Sequence, residues 1–221
     1  MKLYVDSADQ RDWQLPAGCP QIAGATTNPT LVRKAGLSVT LETYQRLLGQ
    51  ATDHGLGALM LQLPRADLQE AHAWMDILQK QSVDAGIKLT IKLPCQAPWS
   101  PLMAAVRARG LSLLITGVAN PVQLLWSCQQ GAHFVAPYLG RLESAGRDVW
   151  ALVGACVAMQ AQGTHLLAAS IGSADVLTRL IAAGAAGATL KAELIASLAQ
   201  DPVTEAALAQ FASDVLLSQP T

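Results

Sequence analysis

Charge is scarce in this chain. Only 14% of its 221 residues are Asp, Glu, Lys or Arg, and 15 bases against 16 acids leave a net charge of −1. No basic run and no acidic tail occurs, so neither nucleic acid nor an anionic membrane surface is an expected partner. Long apolar runs are missing as well. No segment approaches the length of a transmembrane helix, and the opening MKLYVDSADQ lacks the uninterrupted apolar stretch of a signal peptide. Cys19, Cys95, Cys128 and Cys156 stand alone, without C-x-x-C spacing or a neighbouring histidine pair. That pattern argues against a zinc site and against a disulfide framework, and a reducing, cytoplasmic setting is expected. The four histidines are dispersed, and G-x-S-x-G, G-x-G-x-x-G and P-loop patterns are absent. Five scattered tryptophans form no stacking platform and are expected to pack.

What remains is a chain rich in apolar residues, 51% of the total, with mean hydropathy +0.29. A large core follows. Short apolar or alternating runs recur at residues 2–6, 22–27, 58–63, 88–93, 112–116, 133–138, 165–170 and 187–191. Segments of helical length separate them, among them 40–53, 67–84, 121–130, 145–160 and 174–183. Glycine precedes most of the runs, where helices end and φ turns positive. Alternation of this kind implies parallel strands joined by helical crossovers. Eight repeats predict an α/β fold closed as a single (β/α)8 TIM barrel, with an open doubly wound sheet as the other possibility. Asp201-Pro202 then starts one more helix. Val203, Ala207, Phe211 and Val215 recur every four residues along it, a stripe able to cover the barrel base or a second subunit. One domain is expected over 1–221, with 201–221 as C-terminal helix and tail.

Within this frame the stretch Lys88-Leu89-Thr90-Ile91-Lys92-Leu93-Pro94 stands out. Leu89, Ile91 and Leu93 point one way, Thr90 and Lys92 the other, in a sheet expected to be buried on both faces. An ordinary lysine, pKa about 10.4, has about one neutral amine in 2,500 at pH 7. Burial that lowers the pKa to about 7 makes half of them neutral, for about 4.6 kcal/mol of disfavoured charge. Lys92 is then either a nucleophile that forms imines with carbonyl substrates, or a strand-end lysine snorkelling toward a carboxylate.

Strand ends are where parallel barrels do chemistry. The last inward residue of each run reads Asp6, Thr27-Asn28, Gln62, Lys92, Thr116, Tyr138, Ser170 and, with uncertain facing, Lys191. In imine chemistry Asp6 and Asn28 can hold hydroxyls or position the amine, while Gln62, Thr116 and Tyr138 can bind a proton-shuttling water. The alternative for each is a barrel-filling polar residue satisfied by its neighbours, and for Asn28 an Asx-turn ahead of Pro29.

Five blocks carry a resemblance to a known family. They are Leu3-Tyr4-Val5-Asp6-Ser7, Gly24-Ala25-Thr26-Thr27-Asn28-Pro29-Thr30, Ile91-Lys92-Leu93-Pro94, Val135-Ala136-Pro137-Tyr138-Leu139-Gly140-Arg141 and Leu167-Ala168-Ala169-Ser170. Over nearly the whole chain they resemble the transaldolase family, and within it the short fructose-6-phosphate aldolase branch. The resemblance implies a barrel with a Schiff-base lysine on strand four, at Lys92, and neither metal nor organic cofactor. It implies catalytic roles for Lys92, Tyr138, Gln62, Thr116 and Asp6, and substrate binding by Thr26, Asn28, Arg141, Ser170 and Lys191. True transaldolases carry glutamate and usually phenylalanine where this chain has Gln62 and Tyr138. The pairing here is that of the aldolase branch, which joins a ketone such as dihydroxyacetone or hydroxyacetone to an aldehyde such as glyceraldehyde 3-phosphate. Transaldolase activity is the near alternative, and a barrel that binds sugar phosphates without turnover the distant one. Homo-oligomeric rings or double rings are implied too. Two departures stand out. Ser170-Ile171-Gly172-Ser173 lacks the cation that relatives place after the serine, and the loop Cys95-Gln96-Ala97-Pro98-Trp99-Ser100-Pro101 lacks the usual threonine–glutamate–glycine pattern. Lys191 either replaces the missing charge or enters the next helix exposed.

Overall fold

Eight short strands, each flanked by a helix that shields one face of the sheet, close on themselves in the computed structural model, which describes residues 1–218. In chain order the elements are β1 (Lys2–Asp6), β2 (Gly24–Thr26), α1 (Pro29–Lys34), α2 (Leu41–Asp53), β3 (Ala58–Gln62), α3 (Leu68–Asp84), β4 (Lys88–Pro94) and α4 (Ser100–Ala108). Then come β5 (Ser112–Thr116), α5 (Pro121–Gln129), β6 (Phe134–Ala136), α6 (Leu139–Ser144), α7 (Val149–Met159), β7 (His165–Ala168), α8 (Ala174–Ala183), β8 (Gly187–Leu190), α9 (Ala192–Ala196) and α10 (Pro202–Leu217). All pairings are parallel, and β8 returns to β1, so the sheet is a closed (β/α)8 barrel with a C-terminal helix and no free edge.

The helices start where the sequence offers caps. Asn28, Thr40, Asp67, Asn120, Asp148, Ser173 and Asp201 each accept a backbone N–H of the first turn through the side chain. Residues 145–160, expected as one helix, begin with Ala145 as the C-cap of α6, turn at Gly146 with positive φ, and become helical only in α7, capped by Asp148. At Gly24 the chain passes so close to β3 that any Cβ would collide with the Ala58 carbonyl.

Most of the core lies outside the barrel. Leu89, Ile91 and Leu93 of β4 join Tyr44, Leu48, Met75 and Leu102 in the layer between strands and helices. The barrel interior holds a smaller apolar plug of Tyr4, Ala58, Met60, Leu114, Ala136 and Leu167. α10 does not take the first of its two expected roles, covering the barrel base. Its apolar residues lie open, Val203 at 78%, Phe211 at 61% and Val215 at 60% exposure, and it buries no residue on the barrel base. Residues 219–221 of the expected tail lie outside the described residues. Among those described, no helix is long and apolar enough to cross a membrane.

Candidate active site

Two residues beyond the apolar plug, in the direction of the strand C-termini, the interior turns polar. Lys92 is buried, at 4% exposure, next to Gln62 in the β3–β4 register. Its Nζ donates one hydrogen bond, 2.7 Å long, to the backbone carbonyl of Thr27. Among the described residues the ion pairs are Arg11–Asp9, Lys80–Asp84 and Arg109–Asp76, so Lys92 is not the snorkelling partner of a carboxylate. A buried ammonium has three N–H groups to satisfy, and one protein acceptor leaves it poorly solvated. Burial accordingly pulls the Lys92 pKa down to about 8, against an opposing pull upward from the negative charge of Asp6. About one amine in ten is then neutral at pH 7, some hundreds of times more than for a free lysine.

Asp6, at the end of β1, faces the same space and is held from the side. Thr26 Oγ1 donates to Asp6 Oδ1 at 2.8 Å and also lies 2.6 Å from Thr189 Oγ1. Because the single Thr26 hydroxyl hydrogen goes to the carboxylate, Thr189 must donate to Thr26. Opposite, Thr116 Oγ1 donates to the Tyr138 hydroxyl at 2.7 Å, which leaves the phenolic hydrogen free for a further acceptor. The Arg141 guanidinium lies 4.7 Å over the Tyr138 ring. Gln62 Oε1, at the inner end of β3, is buried and has no protein partner, an acceptor that a water or a substrate hydroxyl can satisfy. The end of β3 is fixed from behind by buried Tyr44, whose hydroxyl donates to the Gln62 carbonyl at 2.6 Å.

Asp6, Gln62, Lys92, Thr116 and Tyr138 thus meet in one ring, as strand alternation foretold, but the inward residue of β2 is Thr26 and not Thr27, because the strand ends one residue earlier than expected. Asn28 is divided between two tasks. Its Oδ1 caps α1 through Leu31 N at 3.0 Å, and its amide N–H groups remain free. One further placement differs from expectation, and for Lys191 one of the two expected alternatives, the exposed lysine entering the next helix, is the one observed. β7 ends at Ala168, and Ser170 follows in a left-handed conformation, φ 59°, the single positive φ outside glycine among the described residues. It reaches the cavity rim through that turn and not by strand alternation, while its carbonyl accepts the Gly140 N–H at 2.9 Å. β8 ends at Leu190, and Lys191 is the exposed N-cap of α9. The last inward residue of that strand is Thr189, which the sequence reading passed over. Two-residue periodicity from Gly187 points to it. Tyr44 had no signal in the sequence beyond its place on an apolar helix face.

Above the ring, a cavity of about 330 Å³ opens between the ends of β6, β7 and β8, bordered by Asp6, Ser170, Thr189 and Lys191. A buried amine of lowered pKa at the C-terminal mouth of a parallel barrel is a candidate nucleophile at the place where such barrels carry their active sites. Comparison with known proteins makes this specific. Residues 3–219 match the family model described as transaldolase/fructose-6-phosphate aldolase, and the chain belongs to that family. A protein of Bacillus cereus named probable transaldolase 2 is 30% identical over 219 residues, covering 97% of each chain. A probable transaldolase of Symbiobacterium thermophilum is 27% identical over 217 residues, covering 97% of this chain and 96% of its own. Among solved structures, a mandelate oxidase variant superposes with TM-score 0.56 at 18% identity, covering 89% of this chain and 67% of that one. At that identity the likeness is one of barrel architecture alone.

Proposed function

We propose that the protein is a class I aldolase that condenses a small ketone, such as dihydroxyacetone or hydroxyacetone, with an aldehyde through a Schiff base on Lys92. The observation that carries this reading is the Lys92 amine, buried, bonded once, and less basic than a free lysine. Its lone pair attacks the ketone carbonyl to give a carbinolamine. Loss of water gives the iminium, and removal of a proton from the adjacent carbon gives the enamine that attacks the aldehyde. Hydrolysis returns the amine. The water that carries these protons fits between Gln62 Oε1, which lacks a partner, and the Thr116–Tyr138 pair, whose phenolic hydrogen is free. Asp6, held by Thr26 and Thr189, faces the donor hydroxyls and the nascent iminium.

Borohydride added together with dihydroxyacetone is expected to fix a stable mass on Lys92, read by peptide mass spectrometry. An unmodified Lys92 in the wild-type protein would falsify the proposal. The names of the relatives favour a second reading, transfer of a three-carbon unit between sugar phosphates. Supplying free dihydroxyacetone with an aldehyde separates the two, because a strict transaldolase turns over only ketose-phosphate donors. A barrel that only binds sugars would show thermal stabilisation by ligand and no product in either assay.

The reading extends to assembly. The open apolar residues of α10 support docking onto a second copy of the chain in a homo-oligomer. Light scattering of the intact chain should give a multiple of 23.2 kDa, and a chain ending before Asp201 should give the monomer. Four free thiols suit a cytoplasmic location, which fractionation of the native source would check.

A further inference from the structure

The cavity above the ring differs in chemistry from a phosphate site. Val149, Trp150, Ile171 and Val176 form the apolar part of its wall and Ser170, Ser173 and Thr189 the neutral polar part, while its charged borders are two carboxylates, Asp6 and Glu143, against one amine, Lys191. A phosphomonoester carries a charge of about −1.5 to −2 near pH 7 and is normally gripped by arginine or several donors. Here Arg141 lies over the Tyr138 ring and Arg179 lies 3.6 Å over the Trp150 ring, and neither borders the cavity. The N-terminus of α8 adds little for an anion. Ser173 Oγ already takes the Val176 N–H, and Asp175 already places a negative charge on the first turn. Lys191 is exposed and also borders a second cavity, whose other charged lining is Asp6, Asp9, Asp12 and Glu193 with Lys34.

With one face of Trp150 covered by the Arg179 guanidinium, the indole is held in place and offers the cavity its remaining surface. About 330 Å³ lies at the small end of the usual range for ligand pockets, about 300–1,000 Å³. We propose that this cavity is the acceptor subsite and that it selects an uncharged aldehyde with a short apolar chain, laid against Trp150, over a phosphorylated one. The acceptor role rests on the aldolase reading above. The preference for a neutral occupant rests on the lining alone.

The experiment measures kcat/KM for addition of dihydroxyacetone to pentanal and to glyceraldehyde 3-phosphate, with the borohydride-trapped adduct on Lys92 as the control for the aldolase reading. A preference for pentanal of at least about tenfold is expected. Trp150→Ala should lower kcat/KM for pentanal about tenfold, mainly through KM, and Glu143→Lys should raise kcat/KM for glyceraldehyde 3-phosphate at least about fivefold. An equal or better rate with the phosphorylated aldehyde overturns the proposal, as does Glu143→Lys without gain. A second measurement is independent of turnover. Pentan-1-ol and glycerol 3-phosphate are titrated while tryptophan fluorescence is compared between the wild type and Trp150→Phe. A Trp150-dependent change with the alcohol, at least about tenfold tighter than with the phosphate ester, supports the neutral occupant. If that pattern holds while no adduct forms on Lys92, the aldolase reading and the acceptor role fall and the neutral preference stands. Tighter binding of the phosphate ester, or no response to either probe, overturns the preference.

Discussion

Lys88 and Lys92 stand four residues apart on β4 and share one face of the strand, yet the barrel treats them as different chemical groups. Lys88 opens the strand at the lower rim, exposed to water beside Lys2 and His165. Lys92 lies about 13 Å further along, past the plug of Met60 and Leu114, where water is replaced by protein. Rim solvent reaches the side chain of Lys88. Lys92 has the Thr27 carbonyl and the distant charge of Asp6, and its pKa falls to about 8. Residue type, strand and facing are shared, so depth within the barrel is the variable that lowers the basicity of Lys92.

The sharpest way to break this comparison is to remove each amine in turn. Lys92→Met should lower kcat by at least about 10⁴-fold and abolish the borohydride adduct, because no other buried amine can take over the covalent step. Lys88→Met should stay within about twofold of the wild type. A comparable loss from both substitutions would mean that position in the barrel is not what matters.

The same contrast marks how far a sequence can be read. Alternation placed Lys92, Gln62, Thr116 and Asp6 on the inner face correctly, because each lies within a paired stretch of strand. It failed at Ser170 and left the facing of Lys191 open. Both lie past the last ladder pair, where the chain is free to turn and a two-residue period no longer applies. Nor did the residues around β4 distinguish Lys88 from Lys92, since depth is set by the seven other strands. For α10 the stripe was legible and its partner was not. Helical periodicity reports that a face is apolar, not what covers it.

Stability should move in the opposite direction to activity. A pKa of about 8 in the folded chain, against about 10.4 unfolded, means that the folded state holds the Lys92 proton less tightly. Below about pH 8 the folded protein therefore bears the whole cost of the buried ammonium, of order 3 kcal/mol. Stability then rises with pH from about 8 to about 10.4 as the amine is neutralised. Lys92→Met removes this cost together with the bond to Thr27, itself worth about 1 kcal/mol. A net gain of about 1–2 kcal/mol at pH 7 is expected, shrinking to nothing or reversing by pH 10, by denaturant titration at each pH. Lys88→Met should show no such dependence. A lysine-to-methionine change that destabilises at pH 7 would place the charge of Lys92 in a better-solvated setting than its single bond implies.

Asp6 tunes the same equilibrium from outside. Its negative charge raises the Lys92 pKa, so Asp6→Asn should move the ascending limb of the kcat/KM–pH profile to lower pH. A limb that moves upward would mean that Asp6 acts on another group.

Among the changes at the site, the smallest effect should come from Thr189, which touches neither amine. Its hydroxyl donates to Thr26, and Thr26 in turn donates to Asp6, so the chain of two bonds, 2.6 Å and 2.8 Å, sets where the carboxylate points. Thr189→Val keeps the branched shape on β8 but withdraws the first donor. Thr26 Oγ1 is then buried with an acceptor position unfilled, at a cost of order 1 kcal/mol, and Asp6 gains freedom to rotate. Because Asp6 faces substrate and Lys92, the looser carboxylate should lower kcat about three- to tenfold with KM little changed, and should widen the pH limb without shifting its midpoint. Thr189→Ser, which restores the donor without the methyl group, should recover most of the rate. If serine fails to rescue, packing of the methyl group on the barrel wall is what Thr189 supplies, and the hydroxyl chain has no part in holding Asp6.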